Sequence, residues 1–239
     1  MDYLLFLLIL IPFVALSGWA SAKVNSAYSA YDAVPNSARM TGYDTAIRLL
    51  QRNGVRDISV NRVNGRLTDH YHPTKKQVNL SQSTFGSASV AAVAVAAHEI
   101  GHVMQKKEGY FPYRVRTALV PLANLGSRLA MPLIIIGILL EVLLFAGTGS
   151  MLGQWMMYTG IALYGMATLF MLVTLPVEYN ASSRAKKMLV SEGILTEEEL
   201  PGAKKVLSAA AMTYVASLLI SLVYFLRFLM IVLSFTRRR

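Results

Sequence analysis

The chain has 239 residues, 54% of them hydrophobic, with a formal net charge of +10 and no cysteine. The missing cysteine excludes disulfides, thiolate zinc ligands and a cysteine nucleophile. A basic balance with no nucleic-acid motif beside long apolar runs points to a membrane surface, not to nucleic acid.

Tyr3 to Ala22 carries no charge and is long enough to cross about 30 Å of hydrocarbon. Ala20-Ser21-Ala22 has the small residues of a cleavage site, but Met1-Asp2-Tyr3 lacks Lys and Arg and the apolar stretch exceeds a usual signal h-region, so 1–22 reads as a retained anchor. Residues 23–128 have the order of a small α+β unit. Helical spacing runs over 38–53 through Ala46, Ile47, Leu49 and Leu50, with Asn53-Gly54 as its stop. Val55 to Val63 alternates like a strand, Asn64-Gly65 is a turn signal, and Arg66 to Tyr71 is expected to pair back as a hairpin. Lys75 to Ser81 alternates again and is expected at a sheet edge, where an extended peptide could add to it.

Ser87 or Ser89 then caps a helix whose alanine-rich run, Ala91 to Ala97, ends in His98-Glu99-Ile100-Gly101-His102. Two histidines four apart on a helix project from one face with about 6 Å of rise between them, a two-pronged grip for zinc. Glu99 lies one residue round the turn, within reach of a water without being a ligand itself. Chance placement of this pattern in a chain of this composition comes to roughly 0.002, so coincidence is a poor account of it.

Val142 to Val177 carries no charge, and its Gly147-Thr148-Gly149-Ser150 break divides a transmembrane hairpin over 129–177 into helices from about Leu129 to Ala146 and from about Met151 to Leu175. Residues 178–205 form a second polar segment, and 206–239 a last span with a basic tail, Arg237-Arg238-Arg239. Val206 to Thr236 is too long for the hydrocarbon core as one helix, so its first turns, with Ala209 to Ala211 and Tyr214, are expected to leave the membrane and buttress the catalytic unit. Glu141 and Arg227 fall inside apolar stretches, which fits either an ion pair within the membrane or snorkelling to its surface. The fold expected is an α+β zincin-like catalytic unit packed on a mainly α-helical transmembrane bundle of about four spans. Both polar segments face one side because the hairpin between them crosses twice. They hold most of the 23 Lys and Arg, which places them in the cytoplasm of a multi-pass plasma-membrane protein.

An ordered set of motifs now carries a family resemblance. Leu67-Thr68-Asp69-His70-Tyr71 with Pro73, Val78-Asn79-Leu80-Ser81, Ala96-Ala97-His98-Glu99-Ile100-Gly101-His102, Glu108-Gly109-Tyr110, Leu175 to Ser182 and Ala209 to Ala216 together resemble the YugP-type membrane zinc metallopeptidases over nearly the whole chain. The resemblance implies a membrane-bound zinc endopeptidase of the gluzincin type, with one Zn2+ per chain and a Glu on a later helix as third ligand. It implies no particular substrate.

From the residues alone, a catalytic zinc wants three protein ligands, and His70, His72, Asp69, Glu108 and Glu178 are all candidates for the third. Glu178 follows Pro176, which can open a helix, and a Glu there also suits the helix N-terminus. Thermolysin-like helices place an Asp four residues after this Glu to orient a zinc-binding histidine. Here that position is Ser182, leaving Asn180, Ser183 or an upstream group to replace the Asp. His70, beside the expected edge strand, is read as lining the cleft where it could stabilise an oxyanion; a surface loop is the other reading. Tyr71 and Tyr214 are candidate oxyanion donors or interfacial anchors.

The function expected is a membrane-embedded zinc metalloendopeptidase acting on membrane-associated or misfolded proteins, with the lipid bilayer as its surroundings and no nucleic-acid partner. Glu99 would be the general base and His98, His102 and Glu178 the metal ligands. The alternative is a non-enzymatic membrane scaffold or chaperone with a structural zinc. Glu99 weighs against it, because a structural site has no use for a carboxylate between two ligands.

Overall fold

The computed structural model describes residues 3–144 and 151–236. It is mostly helical, with a small three-stranded sheet, and it divides into two compact units. One gathers Met1–Ser17, Arg114–Thr174 and Tyr214–Arg239; the other gathers Gly18–Tyr113 and Leu175–Thr213.

The first unit is built from parts of four long helices, α1 (Tyr3–Asp32), α5 (Phe111–Leu139, with a π-helical turn over Leu140–Leu144), α6 (Met151–Ser191) and α7 (Leu200–Thr236). Each is long and apolar enough to cross a membrane. Leu4, Leu8, Leu143, Leu152 and Trp155 stand exposed, a pattern costly in water and costless against hydrocarbon. With no hydrophobic force between helices in lipid, close backbone packing has to hold them. Glycines supply it between α5 and α6: a methyl at Gly137 would lie 2.6 Å from Gly153 O, and one at Gly160 would lie 2.9 Å from Ala130 O. Thr168 and Ser221 share a hydrogen bond of 2.8 Å between α6 and α7, and the Arg227 guanidinium lies 4.1 Å over the Phe6 ring. Glu141 is buried in the π-helical turn. The expected break at Gly147 to Ser150 and the basic tail lie outside the described residues.

The second unit is α+β. Its helix α2 (Gly42–Arg52) opens with a capping box between Thr41 and Asp44 and closes at Asn53, followed by Gly54 at φ 63°, the left-handed geometry that glycine tolerates best. Three strands follow: β1 (Ser59–Val63), β2 (His70–His72) and β3 (Gln77–Ser81). Their order is β1-β3-β2, with β3 parallel to β1 and antiparallel to β2. Two expectations are corrected here. The segment after Asn64-Gly65 does not fold back on β1, because Leu67 at φ 56° and a Thr68 Oγ1 hydrogen bond to Asn64 O carry the chain past it. Nor is the Lys75–Ser81 strand an edge. Val78 and Leu80 are fully buried, so the most apolar strand takes the centre and the edges fall to β1, with its Arg62, and β2, with its two histidines.

A short turn, α3 (Gln82–Phe85), leads to α4 (Val90–Lys107), the helix at the heart of this unit. Ser89 caps it, accepting from Ala92 N at 3.1 Å and donating to Asp32 Oδ1 at 2.8 Å. Ala91, Ala92, Ala94, Ala96 and Ala97 are completely buried, so α4 is enclosed by neighbours that its small side chains admit closely. The core joins Leu49 and Leu50 of α2, Val78 and Leu80 of β3, Val93, Ile100 and Val103 of α4, Leu189 of α6, and Ala203 and Leu207 of α7. The last span thus begins before the expected Val206, and its first turns are core of the α+β unit. The second apolar helix likewise begins at Phe111, well ahead of Leu129.

Asp69 holds the sheet together at the foot of β2, accepting from Ser81 N at 2.7 Å and from Ser81 Oγ at 2.8 Å. Ser81 is fully buried, so losing the carboxylate orphans its N–H. Asp69→Ala should therefore destabilise the protein by about 1–3 kcal/mol, read as a lower thermal midpoint in detergent, while leaving metal content unchanged. Loss of metal in that variant would return Asp69 to the list of ligands.

Candidate metal centre

The structure brings His98, His102 and Glu178 together: one ligand atom from each lies within 4.8 Å of the others. Glu178 Oε2 is 3.2 Å from His98 Nε2 and 3.6 Å from His102 Nε2. Ligands held 2.0–2.2 Å from a tetrahedral ion stand roughly 3.3–3.6 Å apart, so both separations are close to those around a single small cation. Two imidazoles and one carboxylate are also a donor set that suits zinc.

The remaining candidates are held elsewhere. Asp69 is bound to Ser81, Glu108 pairs with Arg184 at 2.6 Å, and His72 Nδ1 accepts from Lys75 N at 3.3 Å. His70 lies exposed on β2, its Nδ1 2.9 Å from Thr68 O and its Nε2 3.0 Å from Asn79 Nδ2, so both ring nitrogens already have partners. Tyr71 is half-buried, and burial pushes its hydroxyl up to about 12.

Glu178 stands well inside α6, as does Pro176, so the expected helix start at the proline is not there. One hydrogen bond lost to a proline in a 41-residue helix leaves the rest of the ladder to carry it through. What delivers the carboxylate is the approach of α6 to α4. A methyl at Gly101 would sit 2.6 Å from Ala181 O, so only glycine between Ile100 and His102 lets the two helices come this close.

Both histidines are oriented from behind. Ser182 Oγ lies 3.1 Å from His98 Nδ1, so the serine in place of an aspartate makes the contact itself. Gln105 Oε1 lies 3.0 Å from His102 Nδ1. The sequence reading missed Gln105 altogether; its place three residues after His102, on the same face of the helix, was the available signal. Tyr113 packs its ring 6.4 Å from that of His102 and was missed too.

Glu99 is buried, and burial pushes its pKa above the ordinary carboxylate value against the opposing pull of His98 and His102. For His102 burial works downward, but the Glu178 carboxylate, with Glu99 and Gln105, outweighs it and leaves the imidazole above its usual value. A group of this kind holds either a proton or a metal between the histidines and Glu178, and the two compete.

Residues 6–233 match the model of a family described as "Putative neutral zinc metallopeptidase". The chain is 44% identical over 231 residues to "Putative membrane protease YugP" of Bacillus subtilis (strain 168), covering 97% of this chain and 98% of that protein. No solved structure matches.

The contact at Gly101 makes a sharp test. Gly101→Ala should cost about 1–3 kcal/mol of stability and reduce zinc uptake, because the methyl forces α4 and α6 apart. Gly86→Ala, where nothing lies within 4 Å of the added carbon, should change neither. Zinc content measured beside a thermal melt separates the two effects, and normal zinc uptake by Gly101→Ala would show that helix spacing does not set the site.

Proposed function

Because the chain belongs to the family described as "Putative neutral zinc metallopeptidase", we propose that it is a membrane-embedded zinc metalloendopeptidase with a zincin-like catalytic unit. The observation that carries this reading is the convergence of His98, His102 and Glu178 beside the buried Glu99. Zinc bound there would act as a Lewis acid on the scissile carbonyl and lower the pKa of a water to about 7. His98 and His102 present imidazole nitrogens, and Glu178 supplies a negative charge that attracts a cation to this place. Glu99 takes the proton of the attacking water and gives it to the leaving amine, a role served by a carboxyl whose pKa burial has raised. His70 enters as a donor to the developing oxyanion once its ring turns away from Asn79.

The substrates proposed are loops or ends of membrane-associated or misfolded proteins. Along α6, Glu178 follows an apolar stretch that is uncharged from Met151 to Val177, which supports a site near the bilayer surface. Substrates confined to that surface reach a high local concentration, whereas short soluble peptides do not. The positive charge of the two polar segments supports a cytoplasmic catalytic side in a multi-pass plasma-membrane protein.

Glu99→Gln should keep its zinc and lose at least 100-fold in cleavage of an unfolded membrane protein, since it moves protons and holds no metal. Glu178→Gln should lose most of its zinc and its activity together. Purified variants assayed for zinc content and turnover decide the matter: cleavage surviving in Glu99→Gln sinks the mechanism, and full zinc in Glu178→Gln passes the third ligand to another residue.

Orientation is open to cysteine scanning, since the native chain has no cysteine to interfere. Lys75→Cys should resist a membrane-impermeant thiol reagent in intact cells and react after lysis. Labelling in intact cells would put the catalytic side outside.

A further inference from the structure

Behind His102 runs a chain of polar side chains that ends at the surface. Glu108 Oε2 pairs with Arg184 Nη1 at 2.6 Å, Arg184 Nε donates to Asn180 Oδ1 at 2.7 Å, Gln105 Nε2 donates to that same oxygen at 3.0 Å and to Val177 O at 2.7 Å, and Gln105 Oε1 faces His102 Nδ1 at 3.0 Å. Gln105 is completely buried.

The order of donors along this chain admits one solution. Arg184 can only donate, so the Asn180 atom that meets it must be the carbonyl oxygen. The Gln105 atom that meets this oxygen and the Val177 carbonyl must then be the amide nitrogen. What remains to face His102 is the amide oxygen, which only accepts, so His102 carries a proton on Nδ1 and leaves Nε2 free on the side of Glu178 and His98. Ser182 does less for His98, because a hydroxyl can turn to donate or to accept.

We propose that Gln105 is a positioning residue which, held by Asn180 and Arg184, locks His102 in the Nδ1–H tautomer that the metal site requires. The proposal rests on the zinc-binding reading above. A partner of this kind behind a metal-binding histidine typically changes affinity by about 10–100-fold.

The test uses the full-length protein in detergent, with zinc affinity measured against a competing fluorescent chelator and the site observed through the visible bands of added Co2+. Gln105→Leu fills the same space without an acceptor and should weaken zinc binding about 10–100-fold and alter the cobalt spectrum, even where the metal-free melting point holds. Asn180→Leu, which frees one side of Gln105, should give a smaller loss of the same kind. Asn180→Asp, which keeps an oxygen for Arg184 and Gln105, should restore the wild-type spectrum and affinity. Should Gln105→Leu fail to fold, the Asn180 pair carries the test alone. Wild-type zinc binding with Gln105→Leu, or with Asn180→Leu, inside a factor of two and spectrally unchanged overturns this inference and leaves the metalloprotease reading standing. Wild-type protein that binds neither ion defeats both.

Discussion

The approach of two helix backbones, at Gly101 on α4 and Ala181 on α6, is the constraint on which the candidate site depends. His98 and His102 share a face of α4 by helical geometry alone, but Glu178 reaches them only because no side chain stands between the helices at Gly101. The same approach brings Ser182 to His98, and Gln105 to Val177 and Asn180. The buried alanines before His98 continue the run of small side chains along α4.

Burying so much polarity needs its partners arranged in advance. Glu99, His102, Gln105 and Glu178 are all buried, a costly collection unless each group is matched or a cation is shared among them. The chain from Gln105 through Asn180 and Arg184 to Glu108 matches donor with acceptor at each step and brings the network out to water, where Glu108 is about half exposed. This is how a small unit can afford a charged centre.

Local patterns in the sequence were a sound guide wherever a local rule acts. The 3.6-residue spacing around Leu49 and Leu50, the stop at Asn53-Gly54 and the serine cap at Ser89 became elements near their expected places, and the four apolar runs became helices, though longer than their uncharged stretches. The candidate metal group was legible because two of its members lie four residues apart on one helix, and the family resemblance pointed to the third. What stayed hidden was non-local. Strand order depends on which strand is buried most deeply, and no alternation within β1 or β2 reveals that β3 lies between them. Pro176 looked like a helix start because a proline is a local signal, whereas the continuity of α6 is decided by the whole helix. One boundary could have been read more closely: Thr196 and Glu199 exchange reciprocal hydrogen bonds, the capping signature that leads into α7 several residues before Val206.

His98 and Glu178 are 80 residues apart in the chain, and two long apolar stretches are made between them. At a synthesis rate of about 5–20 residues per second, the ribosome adds Glu178 roughly 4–16 s after His98. Throughout that interval the His-Glu-Ile-Gly-His helix exists without its third partner. The carboxylate of the group therefore arrives last, and His98, His102 and Glu178 can meet only after both apolar stretches between them have been made.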